Sequence, residues 1–461
     1  MQSPIPEAQT PTPAAAARTS YVLALCVFAL ALLAQLPLVL NPGYFSHDEL
    51  QWAAMAMPPA GEPVPWFSWS AIDTYQYRPL TFNLWLLLSR AWFEQPMLFH
   101  AFCVAWGSLN AMLLALLGRG FGMGARSAAL GALAFALGPY ATFVHGWVGT
   151  MADLIWLSSA LLAGLCVQRT STPWRACAIA AAFTAVGLAG KEAAITIPPL
   201  LAVAWLFDGR RATWFAATVG AAAVCALYLG LRYDALLHAP QTASQYALSF
   251  AHPPMRWLEY QLFAPIPTVF ETFTTLGRGF DKRATVSALL WLALCVALWR
   301  AGPRRLALFL VGGVAALFAV LPLGSSWNHY GYGFAALTAM VVASAWPRTS
   351  RGGRVAIALM AALTVAHGVS VMLTMRRVGA IQATFSPALA QAVAQAGERA
   401  PVRLRPEVES KRWIFVRLTH DVPRYRGTPI GDRVRLVDAG QPADYVIAMD
   451  GRLVPAHSPA R

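Results

Sequence analysis

The chain has 461 residues, 57% of them hydrophobic and only 12% charged, with a formal net charge of +14. Such apolarity excludes an ordinary soluble protein, because stretches near the length that spans a bilayer recur along most of the sequence. The basic excess is confined to alternate loops and the C-terminal part, which argues against nucleic acid as its partner.

Residues 1–20, rich in Pro, Ala and Thr, read as a disordered cytoplasmic lead. Tyr21 to Leu40 carries no charge and is about twice the apolar core of a signal peptide, so it reads as a retained first span. Further spans are predicted near 97–117, 127–144, 150–167, 175–189, 193–207, 212–231, 284–300, 306–323, 331–346 and 354–374, about eleven in all. Two long outer loops, 41–96 and 232–283, interrupt them. In the first, Pro79 opens an apolar stretch too short to span, with Trp85, Arg90 and Trp92, which suits a helix lying in the interface.

With the N-terminus inside, the inner loops collect Arg18, Arg119, Arg126, Arg169, Arg175, Arg210, Arg211, Arg300, Arg304, Arg305, Arg348, Arg351 and Arg354. Only Glu7 and Asp208 oppose them. This is the positive-inside pattern, and it places the long loops outside. The six cysteines all lie in apolar segments without metal-ligand spacing and read as buried thiols. After Arg376-Arg377 the character changes to an amphipathic helix over 386–399 and strands at 413–418, 433–437 and 445–449. The expected fold class is an α-helical polytopic membrane protein, with a transmembrane module over 21–377 and a small outer α/β domain over 378–461.

Ser46-His47-Asp48-Glu49 fits a capping box, in which Ser46 caps a helix and Glu49 reaches back. One acid is enough for the box, and helix neighbours point about 100° apart, so Asp48 is left for another task. His145, Trp147 and Asp153 sit at the second outer turn, Lys191-Glu192 at the third, and His329-Tyr330 in a charge-free late loop. Each has a plain alternative. Asp153 suits a helix start, Lys191 and Glu192 suit an ion pair with each other, Arg78 suits snorkelling, and the aromatic residues suit an interfacial belt. Topology nevertheless puts Asp48, Arg78, Asp153, Lys191 and His329 on one face.

Four segments recur in order: Tyr77-Arg-Pro-Leu-Thr81, the run from Leu98-Phe-His100 to Leu109-Asn-Ala-Met-Leu-Leu114, Trp147-Val-Gly-Thr-Met-Ala-Asp-Leu154, and Gly190-Lys-Glu-Ala-Ala-Ile-Thr-Ile-Pro198. Together they resemble the membrane part of the tetratricopeptide-carrying O-mannosyltransferases and their bacterial family-39-like relatives, which are GT-C glycosyltransferases. The resemblance covers roughly residues 20–375. It implies a GT-C-like bundle with interfacial helices and a polyprenyl-phosphate-linked sugar donor. The compartment implied is a bacterial inner membrane, with the N-terminus cytoplasmic and the C-terminus periplasmic. Asp48 matches the catalytic acid of the first outer loop. Two departures stand out: the repeats are replaced by the α/β tail, and the late loop reads Asn328-His329-Tyr330 where relatives tend to carry arginine beside tyrosines.

The expected activity is inverting transfer of the sugar to an acceptor hydroxyl on a protein, lipid or glycan, with Asp48 as base. Glu49, Arg78, His145, Asp153, Lys191, Glu192, His329 and Tyr330 are the expected substrate-binding residues. Carboxylates of the first two outer loops could instead hold a divalent cation on the leaving phosphate. The tail is expected to select or dock the acceptor and to contribute no catalytic group. The rival readings are a non-catalytic relative that binds a lipid-linked sugar, and a transporter or flippase. The last would place ionisable residues near the span centres, which here are nearly charge-free.

Overall fold

The computed structural model describes residues 13–238, 251–266, 276, 281–397 and 401–456. The expected lead before residue 13 and much of the second long loop lie outside the described residues. α1 (Pro13–Ala34) begins within the stretch read as a disordered lead, and α2 (Leu36–Val39) follows it directly. The first long loop carries α3 (His47–Ala56) and α4 (Pro79–Trp92), the latter being the expected interfacial helix. The bundle continues through α5 (Pro96–Gly120), α6 (Ala125–Leu137), α7 (Pro139–Gly146), α8 (Met151–Gln168), α9 (Pro173–Gly190), α10 (Ile197–Phe207) and α11 (Arg211–Leu231). α12 (Tyr233–Leu237) and α13 (Pro253–Phe263) belong to the second long loop. α14 (Lys282–Ala301), α15 (Pro303–Leu317), α16 (Tyr332–Ala345) and α17 (Arg351–Ala396) complete the helical part.

Proline explains many of these starts. It opens α4, α5, α7, α9, α13 and α15, where its missing N–H costs nothing and its fixed φ suits the first helical position. Among the described residues, six helices are long and apolar enough to cross a membrane: α5, α8 with its short lead-in, α9, α11, α14 and α17. α6 and α7 form a seventh, bent by 58°. The bend falls where Gly138 is extended and Pro139 cannot donate back along the helix. The other expected spans fall on α1, α10, α15 and α16, whose apolar lengths are shorter. The chain is therefore an integral membrane protein. α8 is its axis, with 83% of its apolar window buried between neighbours that include α5 and α9. Of the cysteines expected to be buried, Cys103 and Cys225 are, Cys166, Cys177 and Cys295 are half-buried, and Cys26 is exposed on the outside of α1.

The tail grows out of α17, which runs unbroken for 46 residues, about 69 Å, through the expected boundary at 377. β1 (Val402–Pro406) is the centre of a four-stranded sheet with β4 (Val434–Leu436), β5 (Tyr445–Ile447) and β6 (Leu453–Pro455), in the order β4-β1-β5-β6. β1 pairs in parallel with β4 and β5, and β6 closes the edge antiparallel to β5. Sequence reading placed a strand at 413–418; the structure has a helix there, α18 (Arg412–Thr419). The β-branched and aromatic run favours a strand locally, but Ile414, Phe415 and Leu418 fall on one helical face and bury together. Phe415 meets Phe385 of α17 at 5.1 Å between ring centroids. A hairpin of β2 (Arg424–Tyr425) and β3 (Thr428–Pro429) turns through Arg426 and Gly427, both at positive φ, as a type I′ turn demands. Arg424 Nε donates to the Ala54 carbonyl at 3.2 Å and Arg426 pairs with Glu94, so the tail and the first long loop share one end of the bundle, called the upper end below.

Candidate functional site

The chain entering α3 is pinned from three sides. Tyr44 N donates to Gln382 Oε1 of α17 at 2.9 Å, the Tyr44 hydroxyl donates to the Phe93 carbonyl at 2.7 Å, and His100 Nε2 holds the Gly43 carbonyl at 2.8 Å. This fixes Asp48 and Glu49 in different surroundings. Glu49 is 4% exposed, and its Oε2 accepts from Ser46 N at 2.6 Å and Phe45 N at 3.1 Å. Its Oε1 accepts from Val148 N at 3.2 Å, tying the first loop to the second turn. Burial pushes this carboxyl up to about 8, against the N–H groups of Ser46 and Phe45 and the charge of Arg417, which favour the anion.

Asp48 faces the other way, with 32% of its side chain exposed. His47 Nε2 lies 3.4 Å from Oδ1, and the Ser46 hydroxyl approaches Oδ2 at 3.5 Å and His47 Nδ1 at 3.2 Å. Burial holds the His47 imidazole below its ordinary range, with Asp48 pulling it upward. Glu49 thus has a structural post, and Asp48 is the acid that an incoming molecule can reach.

Lys191 and Glu192 do not pair with each other as the alternative reading supposed. Lys191 is extended, at φ −161° and ψ 142°, so the two side chains diverge. Lys191 Nζ meets Asp153 Oδ2 at 2.6 Å, and both side chains are almost wholly buried, at 7% and 1% exposed. Asp153 Oδ1 accepts from Trp156 Nε1 at 3.0 Å. Glu192 instead takes Arg78 Nε at 2.7 Å, so Arg78 is an ion-pair partner and not a lipid-facing snorkel. α4 lies over both turns, with Thr81 Oγ1 donating to the Gly190 carbonyl at 2.7 Å and Trp85 Nε1 to the Val148 carbonyl at 2.9 Å.

The late loop joins this group. Lys191 Nζ stands 5.2 Å from the Tyr330 ring centroid, and the His329 ring lies 5.7 Å from Trp147 and 4.2 Å from Tyr330. Burial, then the charges of Lys191, Arg78 and Arg417, hold His329 well below its ordinary range. His145 is the exception among the expected residues. It is fully buried, with Nδ1 2.7 Å from Gln35 Oε1 and Nε2 2.9 Å from the Tyr332 hydroxyl, in a polar chain that continues to Asn110. Both ring nitrogens are used inside the bundle, and His145 does not face the cluster. For a shared cation, Asp153 has both oxygens engaged already. Among the described residues, no group of three or more His, Cys, Asp or Glu is arranged to hold a metal ion.

Two arginines escaped the sequence reading. Arg232, fully buried, donates to the Ile72 and Thr74 carbonyls at 3.3 and 2.9 Å and stands 3.9 Å from Glu192 Oε1. A lone arginine closing an apolar helix is also what lipid snorkelling produces, so its sequence signal is ambiguous. Arg417, on α18, lies over the Phe45 ring at 4.2 Å and the Trp147 ring at 5.3 Å. The tail therefore forms one wall of the site. Its sequence gave no such signal, because the residue sat in a presumed strand of a separate domain.

A cavity of about 840 Å³ lies below the cluster. Its walls are mainly Leu, Ala, Gly and Val residues, largely of α5, α8, α10, α15 and α16, and its lower rim carries Asp208, Arg304, Arg305 and Arg348. Its upper part includes Gly333, which packs directly on Trp156, the side chain that holds Asp153.

Neither a protein-family model nor a curated protein matches the sequence. Among solved structures, the chain is similar to the archaeal oligosaccharyltransferase AglB from Archaeoglobus fulgidus, in complex with an inhibitory peptide and a dolichol-phosphate. Identity is 14% and the TM-score 0.45, over 86% of this chain and 63% of that one. It is also similar to an Archaeoglobus fulgidus oligosaccharyltransferase tethered to an acceptor peptide containing the NVT sequon. Identity there is 16% and the TM-score 0.49, over 88% of this chain and 60% of that one. The chain thus spans less than two thirds of the length of either structure. At such identities and scores, the likeness says nothing of this chain's chemistry.

Proposed function

We propose that the chain is an inverting GT-C type glycosyltransferase that uses a sugar linked to a polyprenyl phosphate. The observation that carries this is the gathering, at one end of a membrane bundle, of a reachable acid with the Asp153–Lys191 and Arg78–Glu192 pairs and the His329-Tyr330 loop. The cavity beneath them has mainly apolar walls and a charged lower rim, and the walls suit part of an isoprenoid tail. Asp48 accepts the proton of the acceptor hydroxyl as its oxygen attacks the anomeric carbon. The bond from that carbon to the phosphate oxygen breaks with its electron pair, and the phosphate leaves on the opposite side. Base catalysis of this kind contributes about 10²–10⁴-fold. Cations near the leaving oxygen stabilise its developing charge.

Two measurements test the reading. The purified protein should bind a polyprenyl monophosphate more tightly than the matching uncharged polyprenol; equal binding would remove the lipid-phosphate donor. Tight binding with no transfer to any acceptor class would favour the non-catalytic relative. The second measurement concerns orientation, for which the arginine asymmetry is the motive. Reporter fusions at Gly209 should read cytoplasmic and those at Gly431 should read outside. A cytoplasmic Gly431 would put the whole cluster on the wrong face for an outer-surface reaction.

A further inference from the structure

The charged rim of the large cavity plays no part in the reaction proposed at the upper end. It is built from four turns of the lower end, which contribute Phe121 to Gly124, Asp208, Arg304 with Arg305, and Pro347 with Arg348. Arginines at this end are expected from the positive-inside pattern alone, so their charge by itself assigns nothing. These three differ in bordering a cavity of about 840 Å³ with mainly apolar walls.

Their charge is not neutralised within the chain. Arg304 and Arg305 donate to the carbonyls of Phe207 and Ala301, which carry no net charge, and Arg348 bonds to no described residue. Asp208 is the single acid among the lining residues. Its Oδ2 already takes Arg210 Nε, at 3.2 Å, and Trp214 Nε1. Arg305 and Arg348 lie close enough to repel each other, and an anion beside both would relieve that repulsion. A free inorganic anion would satisfy the rim and leave the walls empty. A molecule with an anionic head and an apolar chain satisfies both. Basic pockets between membrane helices suit the headgroups of anionic lipids, and the volume falls in the ~300–1,000 Å³ range of pre-formed ligand sites.

We propose that this cavity binds an anionic phospholipid from the leaflet at the lower end, with its phosphate among Arg304, Arg305 and Arg348 and an acyl chain between α8, α10, α15 and α16. The site stands independently of the lipid-linked donor, whose reacting phosphate belongs at the opposite end of the bundle.

The test compares dioleoyl phosphatidylglycerol with dioleoyl phosphatidylcholine, which differ in net charge and not in their chains. Binding to the delipidated full chain in detergent is followed by native mass spectrometry. The parent should prefer the anionic lipid; equal affinity overturns the proposal. Arg305→Gln combined with Arg348→Gln should weaken phosphatidylglycerol roughly ten- to a hundred-fold and change phosphatidylcholine far less. Melting curves identify folded variants. If the double variant does not fold, Arg348→Gln alone decides, and parent-level phosphatidylglycerol affinity in whichever is folded overturns the proposal. Ala204→Phe fills the cavity one turn above Asp208, so it should weaken both lipids. Unchanged binding in it would mean adsorption to the surface, and no cavity site; Ala160→Phe on α8 takes its place if it does not fold. A polyprenyl monophosphate whose binding falls as far as phosphatidylglycerol in the arginine variant would give the rim to the donor, and the phospholipid assignment would fail.

Discussion

Asp48→Asn should lower sugar transfer by about two to four orders of magnitude, with lipid binding and melting temperature close to the parent. The substitution keeps shape and removes the base from a side chain that bears little of the fold. Its contacts, at 3.4 and 3.5 Å to His47 and Ser46, are long. Glu49 should behave in the opposite way. The capping box alone assigns Glu49→Ala a cost of about 1 kcal/mol. The structure raises this, because three buried N–H groups, of Phe45, Ser46 and Val148, would lose their acceptor at about 1–3 kcal/mol for each one left unpaired. Glu49→Gln offers one carbonyl oxygen where two oxygens are used, so it too should destabilise, by less than Glu49→Ala. Transfer rates and melting curves of the three variants separate the roles. Parent-rate transfer by Asp48→Asn beside a folded but inactive Glu49→Gln would mean that the catalytic acid has been misassigned.

Lys191→Met is expected to cost about 3–5 kcal/mol of stability, because it leaves the Asp153 carboxylate almost wholly buried with no counter-charge. Asp153→Asn alone should be damaging for the mirror reason. The double variant removes both charges and should recover much of the loss, giving a large coupling in a double-mutant cycle. Had Lys191 paired with Glu192 on the rim, its removal would have been far milder. Melting temperatures in detergent decide: a single Lys191→Met variant as stable as the parent would show that the pair does not hold the second and third turns together.

The membrane architecture was legible in the sequence because it rests on local properties. Uncharged runs predict spans, and prolines mark their starts. The two acids of the first loop were separable for the same reason, since helix geometry makes neighbours diverge. Pairing across distance was not legible. Nothing in Lys191-Glu192 announces that one turns inward to Asp153, 38 residues away, and the other outward to Arg78. The extended backbone at Lys191 decides this, and it depends on how α9 meets the following 3₁₀ turn. His145 misled because its polarity near a helix end suggested exposure, whereas Gln35 and Tyr332 enclose it. α18 misled because its composition favours a strand until the face of α17 is available to bury it. Arg417 was lost with it.

α17 has a consequence for how the domain outside the bundle is aimed. One continuous helix connects the arginine-bearing loop at the lower end with the platform on which α18 rests. Along such a rod, every residue adds about 1.5 Å of height and about 100° of rotation. The bearing of the tail around the bundle is therefore set by a residue count. Substitutions within α17 alter how firmly the tail is held, whereas a single inserted residue swings Phe385, and the helix packed on it, to another compass point. Asn41, seated against Gly379, and Gln382, bound to Tyr44, act as the reference marks of that dial, fixing the rotation at the level of the first loop.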